Sequence, residues 1–319
     1  MFNGREKEAV VNLAETHENN RQKYLQIADL RRLRNLQFAA KLIVEGFYQG
    51  KHRSPFYDFS SEFADYRPYT PGDEIRAIDW RAYARTDRYY IKLFRKETDM
   101  NCYLLVDTSS SMGYRGADTV SKDSVSKLEY ASYLVAALAY LIIQQGDKVG
   151  LALGSDKLTN FVPAGGTPQN LQRILVALER TAPIGQTGLA TVLKGLFGAV
   201  KRKGLLVVVS DFLDEPDEIF SALSMFAHKG FAILLFQVMT EAEMSLPLLD
   251  SALFEDMEST AFVVAEPTAV RDAYQAELQA FLNEIESNAR ARRINYRLAT
   301  TSEPYYEALE AYLTVRRRG

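Results

Sequence analysis

The chain has 319 residues, enough for about two domains that each bury a hydrophobic core. Apolar residues make up 47% and charged residues 25%, which is typical of a globular protein and excludes disorder over most of the length. Lys and Arg number 38 against 41 Asp and Glu, so the net charge of -3 argues against nucleic acid as a general partner.

The N-terminal part of the chain is charged. The first thirty residues lack the apolar core of a signal peptide, and no later run approaches 18 uninterrupted apolar residues. We therefore expect a cytoplasmic protein without a membrane span. Residues 21–96 contain 16 Lys or Arg against 9 Asp or Glu, so this part is basic and the remainder is acidic.

Residues 1–98 are predicted to form a smaller N-terminal subdomain. Apolar residues such as Leu36 and Ala40 recur at helical spacing over 5–47, which predicts one or two amphipathic helices. From residue 46 to residue 99, aromatic residues, prolines and arginines predominate and the helical period is lost. Short strands and turns are expected there, so the subdomain is helical and β-rich.

After this subdomain, apolar strands alternate with helices. Strands are predicted at 102–107, 148–154, 204–210, 231–238 and 261–265. Helices are predicted at 124–145, 168–181, 188–201, 216–228 and 268–292, before a final strand and a C-terminal helix. This alternation predicts an α/β domain over 99–319, a doubly wound, mostly parallel sheet with helices on both faces. The single cysteine, Cys102, lies in the first strand, where we expect a buried thiol and a reducing compartment.

Two predicted strands end at aspartates. Asp107 closes CYLLVD and Asp211 closes LLVVVSD. The carboxyl ends of the strands form the ligand crevice of an open α/β sheet, so both side chains are expected there. Ser109 and Ser111 alternate with Asp107, so their oxygens point the same way if the loop is extended.

A threonine is expected to join these oxygen donors. Thr187 lies just ahead of a predicted helix, whereas Thr191 and Thr167 stand in competing positions. The five candidate ligands are Asp107, Ser109, Ser111, Thr187 and Asp211. Carboxylate and hydroxyl oxygens without Cys or His suit Mg²⁺, and Mn²⁺ or Ca²⁺ can substitute.

This set resembles the metal-ion-dependent adhesion site of von Willebrand factor A-like domains, which has an Asp-x-Ser-x-Ser run, a distant Thr and a distant Asp. The resemblance implies that the serines, the threonine and one or both aspartates hold the cation directly or through water. It also implies that one coordination position is left open for the carboxylate of a partner protein. Binding rather than catalysis is therefore expected.

A second pattern lies in the basic part of the chain. Its residues are Arg67, Tyr69, Pro71, Gly72, Asp73, Ile78, Asp79, Trp80, Ala84 and Arg85. Together with the metal motif, this pattern resembles the family called domain of unknown function 58, over roughly residues 25–315. The resemblance implies a von Willebrand factor A-like domain and a companion or adaptor role beside a MoxR-type AAA+ ATPase. Many members carry N-terminal membrane spans, which this sequence lacks.

The charged residues of this pattern have two interpretations. Arg76, Asp79, Arg81 and Arg85 can form an ion-pair network that joins the small domain to the larger one. Alternatively, the basic surface around Arg81 and Arg85 docks an acidic partner such as the ATPase. We expect Trp80 to lie in the core rather than to form a ligand platform.

The motifs of common enzyme classes are absent from the sequence. It contains no G-x-x-x-x-G-K-[ST] loop, no G-x-S-x-G elbow and no H-E-x-x-H helix. A phosphotransferase with Asp107 as nucleophile needs a second aspartate two residues later, where Ser109 stands. The sequence therefore predicts a non-enzymatic, metal-dependent protein-binding module. A metal-dependent phosphotransferase or hydrolase, or a structural scaffold with a vestigial metal site, are the alternatives.

Overall fold

The computed structural model describes residues 35–51, 66–70, 78–92, 100–116, 124–246, 252–258 and 261–318. These residues fall into two compact units. The larger unit contains α1 (Leu36–Lys51) and the chain from Met100 onward, and the smaller unit lies within 52–99.

The smaller unit contains β1 (Tyr66–Pro68), α2 (Trp80–Thr86) and β2 (Tyr90–Lys92). The two strands pair antiparallel. Asp79 caps α2, since its Oδ1 accepts a hydrogen bond from the Ala82 amide at 3.2 Å. The prediction that Trp80 is a core residue is wrong. Its side chain is 56% exposed. Its ring packs edge-on against Tyr83 and Tyr89, which also belong to the small unit.

The larger unit is built on a six-stranded sheet. From β3 to β6 its elements are β3 (Asn101–Asp107), α3 (Lys127–Gln144), β4 (Lys148–Gly154), β5 (Leu158–Gly165), α4 (Pro168–Glu179), α5 (Leu189–Ala199) and β6 (Leu205–Ser210). They continue as α6 (Pro216–His228), β7 (Ala232–Met239), α7 (Glu241–Ser245), β8 (Ala252–Glu255), β9 (Phe262–Ala265), α8 (Pro267–Ala291), β10 (Asn295–Thr300) and α9 (Tyr305–Arg318). None of these helices combines the length and apolar character needed to cross a membrane, as far as the structure describes them.

The strand order is β10-β7-β6-β3-β4-β5, and every neighbouring pair is parallel except β4 and β5. This confirms the predicted α/β class, with a mostly parallel sheet.

Two details of the strands differ from the prediction. The antiparallel edge strand β5 was not predicted, and the strand predicted at 261–265 lies outside the sheet. That segment forms β9, which pairs with β8 in a separate hairpin. Phe262, Val263 and Val264 are therefore exposed rather than buried under helices.

Helices cover both faces of the sheet, as predicted. Leu104 and Val106 of β3 face a core shared with α1, α3, α4 and α9. Tyr103 and Leu105 face the opposite way, into a core shared with α5, α6 and α8. Because successive side chains of a strand point to opposite faces, a strand buried on both sides is continuously apolar. The thiol of Cys102 is fully buried, as expected.

The smaller unit ends at Asp99, one residue from the predicted boundary, but the helix before residue 52 is not part of this unit. Helix α1 belongs to the larger unit and packs beside α3. Its apolar face supplies Ala40, Ile43 and Phe47 to the core, which explains the helical spacing of these residues. The first helix is thus part of the α/β unit and not of the small basic unit.

Candidate metal centre

The structure brings the two strand-ending aspartates to one edge of the sheet. β3 and β6 are neighbours in the sheet, and Val106 pairs with Val209. Asp107 and Asp211 follow these residues at the carboxyl ends of the two strands. Both are buried, Asp107 being 1% exposed and Asp211 fully covered.

The loop after β3 carries three side chains whose oxygens could act as metal ligands. The Ser109 amide donates to Asp107 Oδ1 at 2.9 Å, and the Oγ atoms of Ser109 and Ser111 lie 3.0 Å apart. Adjacent ligands of an octahedral ion with metal–oxygen distances of about 2.0–2.1 Å are separated by about 2.9–3.0 Å. The two hydroxyls form a hydrogen bond whose length equals the spacing of neighbouring Mg²⁺ ligands, so these oxygen ligands are compatible with this ion.

The loop that carries Thr187 lies directly against the Asp107 loop. The Ile184 amide donates to the Thr108 carbonyl at 2.8 Å, and the Ser110 amide donates to the Gly185 carbonyl at 2.9 Å. Gly185 has a φ of +87°, a backbone conformation that residues other than glycine rarely adopt. These two backbone bonds hold the start of the loop that carries Thr187 against the Asp107 loop.

The competing threonines lie elsewhere. Thr167 is the N-cap of α4 and follows β5, whose Gly165 pairs with Val149 near the start of β4. Since β5 is antiparallel, its end lies at the amino edge of the parallel strands, opposite Asp107. Thr191 is exposed in the first turn of α5. The geometry therefore favours Thr187.

Ser210 is a site residue that was not predicted. Its hydroxyl donates to Asp107 Oδ2 at 2.6 Å and accepts from the Phe212 amide at 2.9 Å. Phe212 is buried with a φ of +60°, a strained conformation for a bulky residue. The only sequence signal for Ser210 is its position immediately before Asp211.

A buried lysine also contacts the site. Lys127 Nζ lies 2.8 Å from Asp211 Oδ2 and 2.6 Å from Glu243 Oε1, and its side chain is 1% exposed. Burial alone lowers the pKa of Lys127, but the charges of Asp211 and Glu243 outweigh it and the net pKa is raised. The ammonium group is therefore charged. In the sequence, Lys127 begins an ordinary amphipathic helix and Glu243 belongs to a capping box with Thr240, so neither was recognisable.

The environment of Asp107 disfavours the charged form of its carboxyl group. Burial and the neighbouring charge of Asp211 raise the pKa of Asp107 to about 7, although hydrogen bonds from Ser210 and Ser109 lower it. A cation beside the two carboxylates stabilises their charged forms. In the described ranges, no three His, Cys, Asp or Glu side chains come together as a metal cluster. Hydroxyl oxygens would thus have to supply part of the coordination.

A carboxylate of the β8–β9 hairpin binds the predicted ligand Thr187. Both oxygens of Glu258 accept hydrogen bonds from Thr187, one from the backbone amide at 2.8 Å and the other from the hydroxyl. This contact was not predictable from sequence patterns, because 71 residues separate its partners.

The basic residues proposed for partner docking lie in the smaller unit. Arg85 is exposed in the last turn of α2. Arg76 and the side chain of Arg81 lie outside the described residues. The predicted ion-pair network and the predicted docking surface both stay predictions.

Three comparisons relate this chain to known proteins. It is 26% identical over 293 residues to the uncharacterized protein Rv1480 of Mycobacterium tuberculosis, covering 90% of this chain and 89% of the relative. It resembles the crystal structure of the conserved hypothetical protein BatB from Bacteroides thetaiotaomicron, with 14% identity and a TM-score of 0.46 over 69% of this chain and all of that chain. It also resembles the SpRpn10 VWA domain, with 9% identity and a TM-score of 0.38 over 66% of this chain and 93% of that one.

A family model supplies the assignment. The model described as "Protein of unknown function DUF58" matches residues 65–282. This range covers more than half of the chain and includes both the Asp107 loop and the basic pattern around Trp80. The chain belongs to the DUF58 family of proteins of unknown function.

Proposed function

We propose that this chain is a non-enzymatic, metal-dependent protein-binding module. Asp107, Ser109 and Ser111 would hold a divalent cation, Mg²⁺ first and Mn²⁺ or Ca²⁺ as substitutes, with Thr187 beside them. Bound there, the ion would supply a positive charge that attracts a carboxylate of the partner. The observation that carries the proposal is the pair of hydroxyls 3.0 Å apart next to a buried aspartate.

Asp211 would contribute mainly through its charge. One of its oxygens accepts from Lys127 at 2.8 Å and the other accepts from the Leu213 amide at 3.2 Å. Each carboxylate oxygen has two lone pairs, so Asp211 can still accept a hydrogen bond from a water bound to the ion.

The arrangement around Asp107 supports binding over catalysis. A nucleophilic carboxylate needs an oxygen that is free to reach the substrate. Here Oδ1 accepts from Ser109 and Oδ2 accepts from Ser210, and the side chain is almost completely buried. Asp107 is therefore better placed to anchor an ion than to attack a phosphoryl group.

The proposed partner is a protein with an exposed acidic residue. The family resemblance suggests a MoxR-type AAA+ ATPase or its client, for which this chain would be a companion. The exposed Arg85, and Arg81 beside it in sequence, would provide a second, basic contact.

A metal-free structural scaffold is the second candidate. The buried Lys127 favours it, because its ammonium group already compensates the charge of Asp211. In that case the site would be held together by ion pairs, and no added cation would be required.

Calorimetric titration with Mn²⁺ and Mg²⁺ separates the two candidates. We expect the wild-type chain to bind the ion and Asp107→Ala to lose binding. Ser111→Ala, which keeps the carboxylates, should weaken binding about tenfold, the equivalent of roughly 1.4 kcal/mol. The matched control is Asp217→Ala, an exposed aspartate in the first turn of α6. Absence of binding to folded wild-type protein would refute the metal-dependent function and favour the scaffold.

A further inference from the structure

The β8–β9 hairpin is an exposed element beside the candidate metal centre. Leu253 pairs with Val264 and Phe254 pairs with Val263, and all four side chains are exposed. The hairpin stands outside the main sheet, so sheet hydrogen bonds do not attach it to the domain. Its position therefore depends on side-chain contacts.

The loop of the hairpin presents one carboxylate to Thr187. Residues 253–257 are exposed, whereas Glu258 is half-buried. The Glu258 amide donates to Asp256 Oδ1 at 2.9 Å, and the Asp256 amide donates to the Ala261 carbonyl at 2.9 Å. The Glu258 side chain extends from this part of the hairpin to Thr187.

Thr187 binds this carboxylate through two donors. Its amide and its hydroxyl each donate to a different oxygen of Glu258. Two converging donors form a small carboxylate-binding site, and bonds to a charged acceptor are stronger than neutral ones. The hydroxyl that holds Glu258 is also the one that belongs to the candidate ion site. A carboxylate from another protein that used the same two donors would therefore have to displace Glu258.

We propose that Glu258 is an internal ligand of this site and that the hairpin competes with the partner for it. This inference rests on the proposed function and specifies it. The partner segment should share the chemistry of the hairpin, which is an Asp or Glu flanked by exposed apolar side chains. Partner binding then requires the displacement of Glu258 from Thr187. The hairpin therefore lowers the apparent affinity for the partner.

Hydrogen exchange tests the contact without any metal. Glu258→Ala removes both acceptors, so the Thr187 amide should exchange about tenfold faster, as expected for the loss of a hydrogen bond to a charged group. Glu255→Ala is the matched control, since Glu255 is an exposed glutamate of the same hairpin. An unchanged exchange rate at Thr187 in folded Glu258→Ala would overturn the inference.

A peptide with the sequence of residues 252–265 tests the competition. In Mg²⁺, we expect it to bind the Glu258→Ala chain about tenfold more tightly than the wild-type chain, because the tethered competitor is gone. The same peptide carrying Gln in place of Glu258 should bind neither. Equal affinity for both chains would overturn the inference alone, provided that wild-type protein binds Mg²⁺. Failure of the wild-type metal titration would overturn the proposed function as well, so the two failures are distinguishable.

Discussion

Lys127 occupies an unusual position for a cation. It is the first residue of α3, directly after the N-cap Ser126, where the helix dipole disfavours positive charge. It is also buried, which adds a desolvation cost. Asp211 and Glu243 offset both effects through short ion pairs. Lys127 therefore compensates the buried charge of Asp211 and the partly buried charge of Glu243.

Replacing Lys127 with Met should destabilise the chain strongly. The substitution leaves Asp211 without its cation in a buried setting, and breaking such a pair costs about 3–5 kcal/mol. Urea unfolding at neutral pH, followed by circular dichroism, measures the loss. Lys41→Met is the control, because Lys41 forms an exposed pair with Glu45 at 3.6 Å and should change stability by less than about 1 kcal/mol. Equal stability of the two variants would contradict the role assigned to Lys127.

Four of the candidate ligands were recognisable from the sequence for a local reason. Asp107 and Asp211 close continuously apolar strands, and Ser109 and Ser111 follow at alternating positions, so neighbouring strand ends bring them together. Glu258 was not recognisable, because its contact with Thr187 depends on how a separate hairpin folds back. Local patterns predict which residues stand at an edge, but they do not predict which distant side chains reach it.

At the scale of elements, the start of β6 is fixed by its close approach to β3. A Cβ atom added to Gly204 would lie 1.8 Å from the carbonyl oxygen of Asn101, which is backbone and cannot move aside. The two strands are parallel neighbours, and β3 carries Asp107 at its other end. Because Gly204 has no side chain, β6 can approach β3 closely enough to form the sheet that positions the site.

Gly204→Ala should lower the free energy of unfolding by at least the roughly 1–3 kcal/mol that is typical of overpacking. Gly198→Ala provides the comparison, because nothing lies within 4 Å of a Cβ there, in the last turn of α5. That variant should be neutral or more stable by up to about 1 kcal/mol. Thermal and urea unfolding of both proteins give the values. If Gly204→Ala were as stable as Gly198→Ala, the close packing of β3 and β6 would be incorrect.

The predicted elements agree best with the structure where the residue pattern is compatible with only one type of element. Helices α4, α5 and α6 begin within one residue of the predicted positions, because Pro168, Gly188 and Pro216 mark their first turns. The edge strand β5 carries exposed polar residues and Pro163, so it lacks the apolar run of a central strand. The segment 261–265 has such a run but is exposed, since apolar composition alone does not distinguish a central strand from a hairpin.

At the scale of the whole molecule, the chain before the small unit contributes to the core of the larger one. Helix α1 and the segment from Met100 onward form one unit, although residues 52–99 separate them in sequence. Phe47 of α1 is 3% exposed, whereas Phe38 of the same helix is 48% exposed. This contrast gives a direct test of the docking of α1.

Phe47→Ala should destabilise the larger unit by about 3–5 kcal/mol, because it removes a buried ring and leaves a cavity. Phe38→Ala should cost less than about 1 kcal/mol, since its ring is largely in water. Urea unfolding monitored by circular dichroism reports mainly on this unit, which holds most of the described helices. Similar costs for the two variants would mean that α1 does not pack in this way.

The two bonds that hold the Thr187 loop to the Asp107 loop join backbone atoms only. Side chains in this loop can therefore change without moving Thr187, and Ile184, with its exposed side chain, is one such position. Over evolutionary time the loop is free to drift in sequence while its length and the turn at Gly185 stay constrained. Related chains can then present different surfaces around the same pair of loops.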